Sequence, residues 1–358
     1  MKKYIVGFVL GALTMLSITA FTGTVLTFEG NSIGLVNVKD ATVNTVVDNN
    51  NGAVVTDNIQ LANAKSKLNI LSAYNDTEAY HPKVISFDKP WNGYYYWMAF
   101  TPYPGGDQAK ENPHVLASND MVTWVEPKGY KNPLEPQPTG TPEKQYNSDT
   151  HIVFNPTLDR IEVFWRYIDD DLKISTIYRK TSNDGVNWSA KEVVLSGDRK
   201  TSDHVSPAVI YEDGKYKMWY VANGYKVWYI ESSNGTTWSS PREIVIPYET
   251  PMKNWHLDVI HTDVGYEMVI VSFTDGQDRN SMSLFHTSSV DNLNFSTAKV
   301  ILKPSKQDFA WDNKGIYRST ILKQDGNYYI FYSAISKEDK RGVGLSIGMD
   351  LQQLKGME

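Results

Sequence analysis

Five short segments of this 358-residue chain repeat one pattern: His81-Pro-Lys-Val-Ile85, Asp149-Thr-His-Ile-Val153, Ser206-Pro-Ala-Val-Ile210, His256-Leu-Asp-Val-Ile260 and Tyr317-Arg-Ser-Thr-Ile321. Each is a polar or ionisable start that runs toward β-branched residues, and successive starts lie 68, 57, 50 and 61 positions apart. A period of that size, with connections of varying length, marks a repeat architecture in which every unit is one small sheet.

The remainder of each unit follows the same plan. A second strand, usually entered by a glycine turn and loaded with aromatics, comes next: Gly93-Tyr-Tyr-Tyr-Trp-Met98, Arg160-Ile-Glu-Val-Phe-Trp165, Gly214-Lys-Tyr-Lys-Met-Trp-Tyr220, Gly265-Tyr-Glu-Met-Val-Ile270 and Gly326-Asn-Tyr-Tyr-Ile-Phe-Tyr332. A third strand ends in a turn closed by an aromatic, as in Ser118-Asn-Asp-Met-Val-Thr-Trp124, Ser182-Asn-Asp-Gly-Val-Asn-Trp188, Ser233-Asn-Gly-Thr-Thr-Trp238 and Val290-Asp-Asn-Leu-Asn-Phe295. Asn, Asp and Gly supply the positive φ such turns need. Outer strands are legible in Glu192-Val-Val-Leu195, Glu243-Ile-Val-Ile246 and Lys299-Val-Ile-Leu302. The fifth unit lacks a clear outer strand, and Leu68-Asn-Ile-Leu-Ser72 is expected to close the ring there. The pattern predicts an all-β fold: a five-bladed β-propeller of four-stranded antiparallel blades around a central channel.

Composition fits one large β domain. Aromatics make up 12% of the chain, with 22 Tyr and 10 Trp, and most fall on second strands, where they pack blade on blade. A formal charge of −6 offers no basic stripe for a phosphate backbone, so no nucleic acid partner is expected. The N-terminus sets the compartment: Lys2 and Lys3 precede 25 uncharged residues, 4–28, the charge order of an export signal, with Ser17-Ile-Thr-Ala20 as a small-residue cleavage site. That stretch is also long enough to serve as a membrane anchor, the one expected contact with a membrane. The protein is therefore expected outside the cytoplasm, secreted or held at the cell surface. It contains no cysteine, so its core must suffice without disulfides. The expected division is residues 1–28 as signal or anchor, 29–65 as a spacer or small appended region with a short helix over 58–67, and 66–358 as the propeller.

The first strand of each blade lines the channel, so equivalent starts gather round one axis at one mouth. The ring holds His81, Asp149, Ser206, His256 and Tyr317. Strand alternation brings Asp258 to the side of His256. Arg318 and Asp203 lie beside the rim, Trp255 adjoins His256, and Glu111 is a further acid near that face. Two histidines, several carboxylates, an arginine and a tyrosine are costly to bury together without a purpose, although a satisfied polar plug with channel water is a competing reading.

At these residues the chain resembles the propeller glycosidases of glycoside hydrolase family 43 and the related invertase and levansucrase superfamily. The x-Pro-x-Val-Ile starts and the following Gly-Tyr-Tyr strands carry the resemblance, which covers roughly residues 79–348. It implies a first-blade Asp as base or nucleophile, a second-blade Asp that tunes and positions, and a third-blade Glu as acid. Here the second-blade Asp matches Asp149, His81 stands where the first Asp is expected, and the third-blade Glu falls at or next to Ser206.

Glycoside cleavage needs a proton donor and a second carboxylate across the bond. Asp149 and Asp258 are the pair expected to supply it, with Glu111 as a further acid and His81 able to act as a base near neutral pH. His256, Ser206, Asp203, Tyr317, Arg318 and Trp255 are expected to bind a poly- or oligosaccharide. The alternative is a glycan-binding propeller that has lost the catalytic acid. No cofactor is expected beyond a channel Ca²⁺, since no metal-ligand spacing is present. A Ser206 triad with His204 or His256 lacks the nucleophile elbow such serines use.

Overall fold

Five sheets follow one another along the chain in the order the repeated starts require. The structure, a computed structural model, describes residues 62–358 and, before them, four strands: Gly23–Glu29 antiparallel to Ser32–Val38, and Val46–Val47 antiparallel to Val54–Val55. The chain divides into two units, Met1–Asp57 and Asn58–Glu358. The apolar heart of the expected export signal, residues 5–16, lies outside the described residues. Among the described residues no helix is long and apolar enough to cross a membrane.

The inner strands of blades 1 to 5 are Ala79–Trp91, Gln145–Asn155, Val205–Glu212, Lys253–Thr262 and Gly315–Gln324. Each pairs antiparallel with the strand that follows it in sequence. Blades 2 to 5 have four strands. Blade 1 has three, Ala79–Trp91, Tyr94–Pro102 and His114–Ser118, and a single Ala117–Val125 bridge takes the place of the fourth. Five apolar clusters hold the ring together, each with residues of two adjacent blades, and Trp97, Trp165 and Trp219 of the second strands are among its largest fully buried side chains.

The turns after the third strands are built alike. Ser118, Ser182, Ser232 and Ser289 open them, and the side chains of Asp120, Asp184, Asn234 and Asp291 accept from the amides two and three residues on. The residue in the left-handed region is Met121, Gly185, Gly235 or Asn292. Gly185 is required twice over, because a Cβ there would lie 2.1 Å from the Trp97 ring of the preceding blade.

Ring closure differs from the expectation. The outer strand of blade 5 is Lys355–Gly356 at the chain's own end, paired with Ser346 and Ile347. Leu68 seats beside it, its amide donating to the Val343 carbonyl at 2.7 Å, while Leu68 and Ile70 are buried between blades 5 and 1. The segment thus packs at the closure without forming the strand. Residues 62–67 are also not helical, since their polar groups bond to blade 5: Asn63 Nδ2 donates to Asp312, the Ala64 amide to the Tyr332 hydroxyl and the Lys65 amide to the Met357 carbonyl.

His114 helps fasten this segment to blade 1. Its Nε2 accepts from the Ala73 amide at 3.1 Å and its Nδ1 faces the Asn112 carbonyl at 2.8 Å. Burial pushes its pKa down to about 4, and that of His204 likewise to about 4. The unfolded chain binds these protons near pH 6.5 and the folded chain does not, so stability falls as pH drops from about 6.5 to about 4, by up to about 3 kcal/mol per residue. Chemical denaturation across that window will show the loss, and His114→Gln, which keeps an acceptor for Ala73, will flatten the slope.

Candidate active site

The five inner strands share a local irregularity that aims their side chains. The ladder to the second strand slips between Tyr80 and Lys83, Ser148 and His151, Val205 and Ala208, Asn254 and His256, and Ile316 and Ser319. Such bulges free a residue from pairing and turn it toward the sheet edge or interior. In three blades the freed residue adopts positive φ without being glycine: His81 at 50°, Asp149 at 51° and Ser206 at 57°. Strained non-glycine backbone of this kind concentrates at functional sites.

The bulges at His81 and Asp149, and the strand residue His256 that directly follows the bulged Trp255, bring three side chains together from blades 1, 2 and 4. His81 Nε2 lies 3.8 Å and His256 Nδ1 3.4 Å from Asp149 Oδ1, and one ligand atom from each residue falls within 4.8 Å of the others. All three are buried. His81 Nε2, both ring nitrogens of His256 and Asp149 Oδ1 have no hydrogen-bond partner. On its far side His81 Nδ1 meets the Thr101 hydroxyl at 2.7 Å and Glu111 Oε1 at 3.3 Å. With the ring proton on Nδ1, the Nε2 lone pair faces Asp149. That is the carboxylate–histidine arrangement that orients a metal ligand.

Electrostatics keep His256 and Asp149 in the ligand form. Burial pushes the His256 pKa well below its ordinary value and leaves the imidazole neutral. Burial alone would raise the Asp149 carboxyl, but the positive charge around it, from His256 and His81 when protonated and from Arg166 and Arg318, brings it below the usual carboxylate range. The separations of 3.4 and 3.8 Å suit ligands about 2.0–2.2 Å from a common ion. Three nitrogen and oxygen donors without hydrogen-bond partners fit a divalent cation. Glu111, buried and accepting from the Ser148 hydroxyl, has its pKa raised by burial, with His81 and Ser148 opposing.

The other expected residues have different surroundings. Asp258, paired with Asp149 in the sequence reading, lies one layer deeper and is fully engaged: Lys83 Nζ donates to both its oxygens at 2.9 and 2.8 Å, and Thr320 Oγ1 and the Ile321 amide donate to Oδ2 at 2.7 and 3.0 Å. A carboxylate so neutralised is no base or nucleophile. Asp203 is held by Arg166 at 2.6 and 2.7 Å. The Ser206 hydroxyl donates to the Leu257 carbonyl and accepts from the Leu257 amide, stitching blade 3 to blade 4 and leaving no free nucleophile. Its amide donates to Asp149 at 3.2 Å.

Tyr317 lies 4.5 Å from the His256 ring, ring centre to ring centre, and its hydroxyl accepts from Trp255 Nε1 at 2.9 Å. Burial raises its pKa, so it keeps its proton. Arg318 donates to the Pro207 carbonyl at 2.9 Å, while its Nε and Nη1 have no partner, Nη1 lying 4.0 Å from Asp149.

Lys83 and His151 are parts of the centre that sequence reasoning missed. Both stand two residues after a channel residue, the same offset that placed Asp258, so the alternation rule would have found them. Arg318 Nη2 lies 3.4 Å from His151 Nδ1, and His151 Nε2 sits against the Val209 backbone, 2.8 Å from its carbonyl and 3.0 Å from its amide. Lys83, His151, Asp258 and Thr320 form a polar floor under the His81–Asp149–His256 cluster. Replacing Lys83 by Met leaves Asp258 buried without its countercharge and will cost about 3–5 kcal/mol of stability. Adding Asp258→Asn, which removes the orphaned charge, will recover part of that loss in thermal unfolding.

The fold is that of the five-bladed propeller glycosidases. No family model matches the chain. It is 29% identical over 321 residues to an A type blood N-acetyl-α-D-galactosamine deacetylase of Flavonifractor plautii, an alignment that takes in 75% of this chain and 41% of the relative. The chain thus spans about two fifths of the length of that curated relative. Among solved structures it resembles an N-acetylgalactosamine deacetylase from F. plautii in complex with blood group B trisaccharide, with a TM-score of 0.72, 24% identity, and 81% of this chain and 95% of that one covered. An exo-1,5-α-L-arabinanase from a bovine ruminal metagenomic library superimposes with a TM-score of 0.53 at 14% identity, over 76% of this chain and 94% of that one. An α-L-arabinanase of Cellvibrio cellulosa complexed with arabinohexaose gives 0.54 at 12%, over 76% and 92%.

Proposed function

We propose that this chain is an exported, metal-dependent hydrolase of carbohydrates that removes the acetyl group of a terminal N-acetyl-α-D-galactosamine, leaving the glycosidic bond intact. The observation that carries the reading is the set of unpartnered donor atoms on His81, Asp149 and His256, converging where a glycosidase needs a carboxylate pair. The relative's deacetylase activity supports the choice of bond. The charge order of residues 1–28 supports export.

His81, Asp149 and His256 would hold the ion. When bound, a divalent cation polarises the amide carbonyl and makes water more acidic. Glu111 takes a proton from the attacking water as the new C–O bond forms. It returns that proton to the sugar nitrogen as the C–N bond breaks, giving acetate and an amine; its raised pKa suits both steps. Tyr317 keeps its own hydroxyl proton free while accepting from Trp255, and donates it to the carbonyl oxygen as negative charge develops there. Arg166, neutralised by Asp203, stays 3.5 Å from Asp149 Oδ2 and fixes that carboxylate with Oδ1 toward the two imidazoles.

Acetate release from an A type blood group oligosaccharide tests the reading. A chelator is expected to abolish it and a divalent metal to restore it. Asp149→Asn and His256→Gln will lower bound metal measured by elemental analysis, and Glu111→Gln will reduce turnover about 100- to 10,000-fold with the metal retained. Release of reducing ends in place of acetate would overturn the choice of bond, and glycan affinity without either product would leave a binding protein.

A further inference from the structure

A cavity lies where the loop before the inner strand of blade 2 crosses the strands of that blade. It measures about 290 Å³, and its lining includes Gln137, Gln145, Asn147, Tyr167, Tyr178 and Lys191. The two tyrosine rings lie 5.9 Å apart at 54°, so they meet an occupant as two walls of a corner. Lys191 closes it from outside, 5.0 Å from the Tyr178 ring centre and 2.6 Å from Glu135. The Tyr178 hydroxyl and the Gln137 carboxamide have no protein partner among the described residues.

Asn147 fixes the cavity in place and joins it to the mouth. Its Nδ2 donates to Asn112 at 2.8 Å, and its Oδ1 accepts from Trp165 Nε1 at 3.0 Å. Asn112 follows Glu111 directly, and Asn147 stands two residues before Asp149, about 7 Å along an extended strand. The next residue, Ser148, donates to Glu111. One short stretch therefore lines the cavity with its first residue and the reaction centre with its third.

We infer that this cavity is a second sugar subsite, which takes a pyranose ring of the same oligosaccharide, one or two residues from the ring at the mouth. Aromatic walls with the Gln137 carboxamide and the Tyr178 hydroxyl beside them suit a pyranose, whose faces are apolar and whose rim is hydroxyl. The cavity is the size of one such ring and not of a longer segment. The inference rests on the proposed function only in taking the substrate to be an oligosaccharide.

The test is calorimetric affinity of the full chain for an A type blood group tetrasaccharide and for methyl N-acetyl-α-D-galactosaminide. The wild type is expected to prefer the tetrasaccharide about tenfold, and Tyr178→Ala and Gln137→Ala each to lose most of that preference. Gln137 lies on a loop, so its variant decides if Tyr178→Ala fails to fold. A preference that survives both substitutions, equal wild-type affinities for the two sugars, or binding of neither overturns the subsite. Loss of preference in the variants together with no acetate release would remove the proposed reaction and leave the subsite standing.

Discussion

A buried ion pair spans the channel, and the site above it depends on that pair. Lys83 of blade 1 and Asp258 of blade 4 meet with less than 6% of either side chain exposed, and blade 5 adds the Thr320 hydroxyl and Ile321 amide. Buried charges gain little net stability over well-packed apolar groups, but separating them is costly. The pair therefore sets how the blades sit around the axis more than it adds stability. Three blades are fixed relative to one another at one carboxylate, and the His81–Asp149–His256 cluster is assembled from two of those blades and from blade 2, which is tied in through His151 and Arg318.

The cluster itself is held by backbone strain. Left-handed φ at His81, Asp149 and Ser206 is unfavourable for residues with a Cβ, and the surrounding ladder enforces it. Each bulge turns one side chain inward while the strand beyond continues in register, so the residue two positions on still faces the channel. Asp149 shows the consequence: it receives the Ser206 amide on Oδ2, leaving Oδ1 toward the imidazoles.

Much of this was legible in the chain. The repeated starts located all five inner strands, and the serine-opened turns located the ends of the third strands. The members of the cluster were named because they occupy equivalent repeat positions. Which carboxylates were free could not be read that way. Asp258 and Asp149 look alike in sequence; only the Lys83 ammonium, arriving from 175 residues away, separates a neutralised carboxylate from an available one. The ring closure was misjudged for a related reason: Lys355–Gly356 is a two-residue strand with no apolar pattern, held by pairing to Ser346 and Ile347 and by the close approach of Gly356 to Asn63.

The substitutions relative to the glycosidase pattern are consistent with one another under the proposed reading. A carboxylate at position 81 beside Asp149 would put two negative charges in a dry pocket and raise the pKa of one of them. An imidazole there, backed by Thr101 and Glu111, instead offers a nitrogen donor, and His256 offers another from across the channel. At the third-blade position a Glu would add a proton donor to the mouth, whereas Ser206 spends its hydroxyl on Leu257 and adds none. The acid that remains, Glu111, is set behind His81, where it can act on His81 and on a water molecule. Under the proposed reading, His81, Asp149 and His256 would hold a metal where the glycosidase pattern has its carboxylates, and the same channel would act on the neighbouring amide in place of the glycosidic bond.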